Sequence, residues 1–131
     1  MHSSVNNLDF DWEHYLTLAY HLHQDCSLKG CDEAKWRCSI SRAYYAVFGK
    51  AKCHLVYKEN QILPKIDVHS WVIKGYSQNR SREKRKIGKN LERLRINRTM
   101  ADYEEYTEVT FSMAQTSIIL AKATMRTLKE L

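Results

Sequence analysis

The sequence predicts an all-α domain, and its composition supports that class. The 131 residues include one proline and four glycines, too few for the turns of a β-sheet protein but enough for long helices joined by short connections. Hydrophobic residues make up 44% of the chain and charged residues 27%, an ordinary balance for a globular protein. A chain of this length suits one hydrophobic core, so we expect a single domain over residues 1–131.

The first two predicted helices carry apolar stripes at helical spacing. One runs roughly from Asp9 to Gln24, and its imperfect stripe is Phe10, Trp12, Leu16, Ala19, Tyr20 and Leu22. The other runs roughly from Asp32 to Tyr57, and its stripe is Ile40, Ala43, Tyr44, Val47, Phe48, Ala51 and Leu55. Small residues on its opposite side, such as Ala46 and Gly49, allow a second helix to come close. We therefore expect this helix at the centre of the domain.

Three further helices are expected after a break at Asn60 to Pro64. A short one runs roughly from Ile66 to Tyr76. The polar stretch Gln78 to Lys89 then leads into a helix whose inward residues are Ile87, Leu91 and Leu94. The last helix runs roughly from Tyr103 to Leu128, and its stripe is Tyr106, Val109, Thr110, Met113, Ser117, Leu120, Ala121, Thr124 and Leu128.

The chain carries 21 Lys and Arg residues against 15 Asp and Glu residues, a formal charge of +6. This excess favours encounters with polyanions, but it also fits any protein with a basic surface and identifies no ligand. No apolar run approaches the ~20 residues that cross a bilayer, and no signal sequence is recognisable at the N-terminus. We therefore expect a cytoplasmic protein with no membrane partner.

The cysteines and histidines do not favour a metal site. No C-x-x-C pair occurs among the four cysteines, which are Cys26, Cys31, Cys38 and Cys53. A cytosolic protein seldom keeps disulfides, so we expect these to be buried free thiols. His21 and His23 lie two residues apart and point to different sides of a helix. We expect neither a metal ion nor another cofactor.

Two stretches of the chain resemble a known family. The first is residues 41–48, with the sequence SRAYYAVF, followed by Ala51 and Lys52. The second is residues 87–94, IGKNLERL, followed by Arg95, Arg98, Ala101, Asp102 and Tyr103. His69 lies between them, where these proteins often carry a histidine. In this order and spacing the motifs resemble the HEPN family, in its small stand-alone bacterial and archaeal branch. The resemblance covers roughly residues 10 to 128.

The resemblance implies an up-and-down bundle of four or five helices that usually forms a homodimer. Many HEPN proteins are metal-independent ribonucleases. Others bind RNA or nucleotides without cleaving them, often beside a small nucleotidyltransferase in toxin–antitoxin or defence systems. In the catalytic branch an arginine and a histidine a few residues later act as a pair. Two copies of the pair meet across the dimer, and the 2′-hydroxyl of the RNA is the nucleophile.

Asp102 stands where the resemblance implies the catalytic histidine. An exposed aspartate has a pKa near ~3.9, so it is a poor proton donor at pH 7, and it repels phosphate. A second interpretation is helix capping, because Asp102 stands three residues before Glu105 at the predicted start of the last helix. Glu104 and Glu105 would then lie in the first turn, which the helix dipole favours. Both interpretations stay open, and so does enzymatic activity.

The candidate catalytic residues have structural alternatives. Arg95 and Arg98 are three apart on one helix face, where they can grip adjacent phosphates. Alternatively, one of them pairs with Asp102 or Glu92 and holds the helix junction. Tyr103 can stack on a base or pack in the bundle, and packing is favoured. His69 is the one histidine that can replace the missing catalytic one, if folding or dimerisation brings it to the arginines. The candidates are thus Arg95, Arg98, Asp102, Tyr103 and His69.

The candidate RNA-binding residues form a basic run before and at the start of the same helix. Within Gln78 to Lys89 there are six Lys and Arg residues and one acid, Glu83. Such a run is either a solvated face or a phosphate contact, and without aromatic residues it suits phosphates rather than bases. The candidates are Arg80, Arg82, Lys84, Arg85, Lys86 and Lys89, together with Arg42. For Arg42 and Tyr45 structural roles are favoured, with Arg42 paired to a carboxylate across the bundle.

Three functional hypotheses follow, in this order. The first is a non-catalytic HEPN-like dimer that binds RNA or a nucleotide in a toxin–antitoxin or defence system. The second is a metal-independent ribonuclease that uses Arg95 or Arg98 with Asp102 or His69. The third is an interaction module for a nucleotidyltransferase, with the face around Ala46 and Gly49, or the last helix, as the interface. The functional hypotheses depend on the positive side chains next to the end of the penultimate helix gathering into a cleft that holds a polyanion.

Overall fold

The strongest predicted stripe forms the central helix, α2, Asp32–Cys53. The computed structural model describes residues 9–27 and 29–131. Within them α2 contacts four other helices: α1, Glu13–Gln24; α3, Val68–Ser77; α4, Arg82–Tyr103; and α5, Phe111–Lys129. Its Tyr44, Val47 and Ala51 are completely buried. The predicted all-α bundle with this helix at its centre is confirmed.

The small residues of α2 and α4 allow neighbouring helices to come very close. A Cβ atom on Gly49 would lie 1.9 Å from Cδ2 of Trp12, which packs there just before α1. A Cβ atom on Gly88 would lie 2.5 Å from the backbone nitrogen of Ser77, at the end of α3. The prediction of close packing at Gly49 is confirmed. The predicted partner interface at Ala46 and Gly49 is wrong, because both residues are buried inside this chain.

The predicted start of the last helix is wrong. Helix α4 continues to Tyr103, and α5 begins only at Phe111. The cap of α5 is Thr110, whose Oγ1 accepts a hydrogen bond from the Met113 amide, so Asp102 does not cap it. Glu104 and Glu105 lie in the connecting segment rather than in a first helical turn. Thr107, Val109 and Thr110 are β-branched and disfavour helix, which fits the break.

Three smaller predictions also need correction. Helix α1 begins at Glu13 rather than Asp9, and Phe10 is 51% exposed. The α-helical part of α2 ends at Cys53, and a π-helical turn, His54–Lys58, continues it through the predicted end at Tyr57. The cysteines are free but not buried: three are exposed and Cys53 is half-buried. None of the described helices is long and apolar enough to cross a bilayer.

Candidate phosphate site

Helix α4 carries Arg95, Arg98 and Asp102 at spacings of three and four residues, which places them on one side near its carboxyl end. This side meets the middle of α2 and the start of α3. We call the side chains that gather there the Arg98 cluster: Ser41, Tyr44, Tyr45, His69, Arg95, Arg98, Asp102 and Tyr103. The structure therefore brings together every candidate catalytic residue that the sequence predicted, including His69 from a different helix.

Arg98 lies at the centre of the cluster and is 9% exposed. Its Cζ lies 5.5 Å from the ring centroids of both Tyr44 and Tyr45 and 5.9 Å from that of Tyr103. Its Nη1 lies 3.7 Å from Oδ2 of Asp102, a long ion pair. Within residues 9–27 and 29–131, its buried Nε has no hydrogen-bond partner. Such an orphan donor costs about 1–3 kcal/mol, so the folded chain holds this guanidinium with part of its hydrogen-bonding capacity unused.

Asp102 is tied to both neighbouring helices. Its Oδ2 accepts a hydrogen bond of 3.2 Å from Oγ of Ser41 on α2, in addition to the contact with Arg98. Of the two alternatives for the arginines, the ion pair with Asp102 is present in the structure. Within the cluster Asp102 accompanies two arginines, Arg95 and Arg98, while Glu92 of the same helix lies near enough to act on Tyr44. The cluster keeps a net positive charge.

His69 is held beside the arginines by aromatic contacts. Its Nδ1 lies 2.6 Å from the hydroxyl oxygen of Tyr44, and its ring stacks on Phe48 with centroids 4.3 Å apart. The phenol donates when Nδ1 is unprotonated and accepts when Nδ1 carries the proton, so the bond holds the ring in either tautomer. Burial, followed by the charges of Arg95 and Arg98, lowers the pKa of His69 below its ordinary value. The imidazole is therefore neutral at pH 7.

Arg95 is less constrained than Arg98. Its side chain is half-buried, and its Nη1 donates a hydrogen bond of 3.5 Å, a weak one, to Oγ of Ser70. Its charge nevertheless reaches His69, whose pKa it lowers. Arg95 thus places a second cation on the same face of α4, and only one weak hydrogen bond engages its guanidinium.

The structural roles predicted for Tyr103 and Arg42 are wrong. Tyr103 does not pack in the bundle but is 68% exposed, with one face of its ring towards Arg98. Arg42 has no carboxylate partner among the described residues. Its guanidinium lies 4.8 Å from the ring centroid of Tyr15 and 5.1 Å from that of Tyr45, and it donates to Oγ of Ser41. Exposed and half-exposed rings therefore alternate with arginines along this surface, which suits stacking on a planar ligand.

The comparisons with known proteins leave the family open. No family model, curated protein or solved structure matches this chain. Among residues 9–27 and 29–131, no three His, Cys, Asp or Glu side chains lie close enough together to hold a metal ion. The chemistry of the site rests on its arginines, its tyrosines and one histidine.

Arg37, which the sequence analysis did not single out, holds the end of α4 in place. Its Nη1 donates to the carbonyl of Ala101 at 2.8 Å, and its Nη2 donates to those of Glu104 at 3.0 Å and Thr107 at 2.5 Å. Its Nη2 also lies 3.1 Å from a carboxylate oxygen of Glu33, which accepts a hydrogen bond from the Val109 amide. This amide, followed by Arg37, lowers the pKa of Glu33, so its carboxylate is charged at neutral pH. The pair fixes the backbone on both sides of Tyr103.

The predicted basic run does not share a surface with the Arg98 cluster. Helix α4 turns about 100° per residue, so Lys89 and Arg98 lie about 180° apart around its axis. Lys84 is occupied, because its Nζ lies 2.6 Å from Oε2 of Glu59. Arg85 is also occupied, because its Nη1 donates to the carbonyls of Asn79 and Arg80. The basic run therefore does not extend the group of cations at the carboxyl end of α4.

Proposed function

We propose that the protein is a HEPN-like RNA- or nucleotide-binding protein and that the Arg98 cluster receives a phosphate group. One observation carries the proposal: Arg98 is nine-tenths buried among tyrosine rings, and among the described residues its guanidinium donates no hydrogen bond and has only the long ion pair of 3.7 Å with Asp102. Buried guanidinium groups in natural proteins are nearly always hydrogen-bonded, and a ligand with acceptor oxygens would supply the bonds that this one lacks. A phosphate matches the planar fork of arginine and the net positive charge of the cluster.

The surroundings of Arg98 favour a nucleotide over a simple anion. Tyr103 offers an exposed ring beside the arginine, and Tyr15 and Tyr45 flank Arg42 a short distance away. A base can stack on such a ring while its phosphate meets the guanidinium. The resemblance to HEPN proteins adds that the ligand is RNA, that the chain is a homodimer, and that it works in a toxin–antitoxin or defence system. These additions belong to the proposal.

Binding to RNA is expected to weaken steeply with salt. Labelled single-stranded RNA of mixed sequence would be titrated with the protein at 50 and at 200 mM salt, with fluorescence anisotropy as the readout. Three or more phosphate contacts give a loss of about tenfold or more over that range, because each contact releases condensed counterions. A dissociation constant that stays flat with salt, or the absence of binding at 50 mM salt, contradicts the proposal.

A second candidate function is RNA cleavage, and the position of His69 favours it. The 2′-hydroxyl attacks the adjacent phosphorus, its proton passes to Nε2 of His69, and the bond from phosphorus to the 5′-oxygen breaks. The departing oxygen takes a proton from water. Arg98 and Arg95 stabilise the charge that builds on the phosphate oxygens. In this scheme Tyr44 holds Nδ1, and His69 takes the role of the histidine that Asp102 replaces.

His69→Gln is expected to lower the cleavage rate by about 100-fold or more, the usual contribution of a general base. The wild-type rate should rise with pH through the lowered pKa of His69, below 6.5, and stay flat above pH 7, because only the neutral imidazole accepts a proton. The assay uses mixed-sequence RNA with EDTA present. If clean wild-type protein leaves the RNA intact, or if the variant cleaves equally well, the protein binds RNA without cleaving it through His69.

A further inference from the structure

Four basic side chains line the outer face of helix α4: Arg82, Lys86, Lys89 and Arg93. They follow one another at spacings of four, three and four residues, which keeps them within about 60° around the helix axis. All four are exposed. The row spans about 16 Å along the helix, at a rise of 1.5 Å per residue. We call this row the outer stripe.

The charges of the outer stripe are not used inside the chain. Among the residues that the structure describes, none of the four makes an ion pair or a side-chain hydrogen bond, in contrast to Lys84 and Arg85 in the same turns. Three of the four also line a shallow surface depression together with Glu83, Arg85 and Asn90. The stripe is thus a straight row of cations whose donors point to solvent.

The outer stripe and the Arg98 cluster lie on different sides of α4. The side chains of Ile87, Leu91 and Leu94 are buried in the core and lie within about 40° of Arg98 around the helix axis, on the side away from the stripe. Arg93 and Arg98 are five residues apart, or about 140° around the helix. A ligand small enough to fill the Arg98 cluster cannot reach the stripe, whereas a long polyanion can contact both.

The chemistry of the stripe selects its partner. A protein–protein interface needs an apolar centre with few charges. The stripe from Arg82 to Arg93 has no such apolar centre. A membrane-surface helix needs an apolar face to insert, and the apolar face of α4 is buried in the bundle. A row of cations without aromatic residues matches the repeating phosphates of a nucleic-acid backbone, without reading bases.

We propose that the outer stripe binds the sugar–phosphate backbone of a nucleic acid, as a second surface separate from the Arg98 cluster. The choice of RNA over other nucleic acids rests on the proposed function. The contact between the stripe and a phosphate backbone does not depend on it. One molecule then holds an RNA at two places: one phosphate in the cluster and a run of backbone along the stripe. The stripe supplies most of the salt dependence and no sequence preference.

The test replaces three stripe cations in Lys86→Gln/Lys89→Gln/Arg93→Gln. The matched control, Lys58→Gln/Lys65→Gln/Lys74→Gln, removes the same charge from exposed positions elsewhere. For a 20-nucleotide RNA, the stripe variant is expected to reduce the slope of log affinity against log salt by about 2 and the affinity at 0.1 M salt by on the order of 100-fold. A 5′-phosphorylated dinucleotide, which reaches only the cluster, should bind all three proteins equally.

Equal losses in the stripe variant and its control would overturn the inference, because net charge alone would then explain binding. An unchanged slope in the stripe variant would overturn it too. Poly-glutamate serves as a phosphate-free polyanion, and a greater loss for it than for RNA would point to an acidic protein instead. If the dinucleotide does not bind but the stripe variant still loses RNA affinity, the proposed phosphate site at the Arg98 cluster fails and the proposed role of the outer stripe stands. If the dinucleotide binds and the 20-nucleotide RNA binds no more tightly than it does, only the proposed role of the outer stripe fails.

Discussion

Arg98→Met is expected to weaken binding of a 5′-phosphorylated dinucleotide by about 10- to 100-fold. Methionine keeps an unbranched apolar stem against Tyr44 and Tyr45 but removes every donor and the charge. The lost interaction is a charge-assisted hydrogen bond of about 1.5–3 kcal/mol, and each 1.4 kcal/mol corresponds to a factor of ten. Isothermal titration calorimetry at low salt measures the change. Arg126→Met, at an exposed position of α5, is the matched control and should bind as the wild type does.

Asp102→Asn separates a binding role of Arg98 from a purely structural one. Asparagine can still accept the hydrogen bond from Ser41, but it no longer repels a phosphate or competes for Arg98. A binding role therefore predicts that Asp102→Asn strengthens dinucleotide binding while Arg98→Met weakens it. A structural role of the ion pair predicts that both variants lower thermal stability and that neither changes the affinity. Unchanged affinity in a well-folded Arg98→Met protein would remove the phosphate site.

Much of the fold could be predicted because one pattern dominates it. The stripe through Tyr44, Val47 and Ala51 places the core of α2, and these residues are completely buried. The end of α4 could not be predicted in this way. Arg37 holds the carbonyls of Ala101 and Thr107 from 64 and 70 residues away in the chain, and no local pattern reports such a contact. The capping interpretation of Asp102 failed for the same reason.

The candidate site was predicted in its members but not in its shape. The motif residues Arg98 and Asp102 and the distant His69 do come together, although Ser41 and Tyr44 were not recognised as members. The signal for both was present, since each lies in the first motif. The separation of the basic run from Arg98 was also available from the sequence, because helical periodicity alone places Lys89 and Arg98 on opposite faces. A run of charges along a helical sequence therefore does not mark a single face of the helix.

Arg37→Ala is expected to lower the free energy of unfolding by about 3 kcal/mol. The guanidinium is 20% exposed and donates to the carbonyls of Ala101, Glu104 and Thr107. Without the guanidinium these partly buried carbonyl oxygens have no protein donor, and water hydrates them only in part. Each lost hydrogen bond costs about 1 kcal/mol or more. Thermal and urea denaturation followed by circular dichroism measure the change, with a decrease in Tm of about 10 °C for a chain of this size.

The same variant also tests whether Arg37 positions the Arg98 cluster. Its contacts fix the backbone on both sides of Tyr103, so their loss should weaken dinucleotide binding under conditions where the variant is still fully folded. Arg37→Lys keeps the charge but cannot span the carbonyls on both sides of Tyr103, so it should fall between Arg37→Ala and the wild type in stability and in affinity. Arg93→Ala, at an exposed position of α4, should change stability by less than about 0.5 kcal/mol. If Arg37→Ala is as stable as Arg93→Ala, the contacts of Arg37 do not hold the end of α4. If it is destabilised but binds the dinucleotide as the wild type does, Arg37 supports the fold without positioning the site.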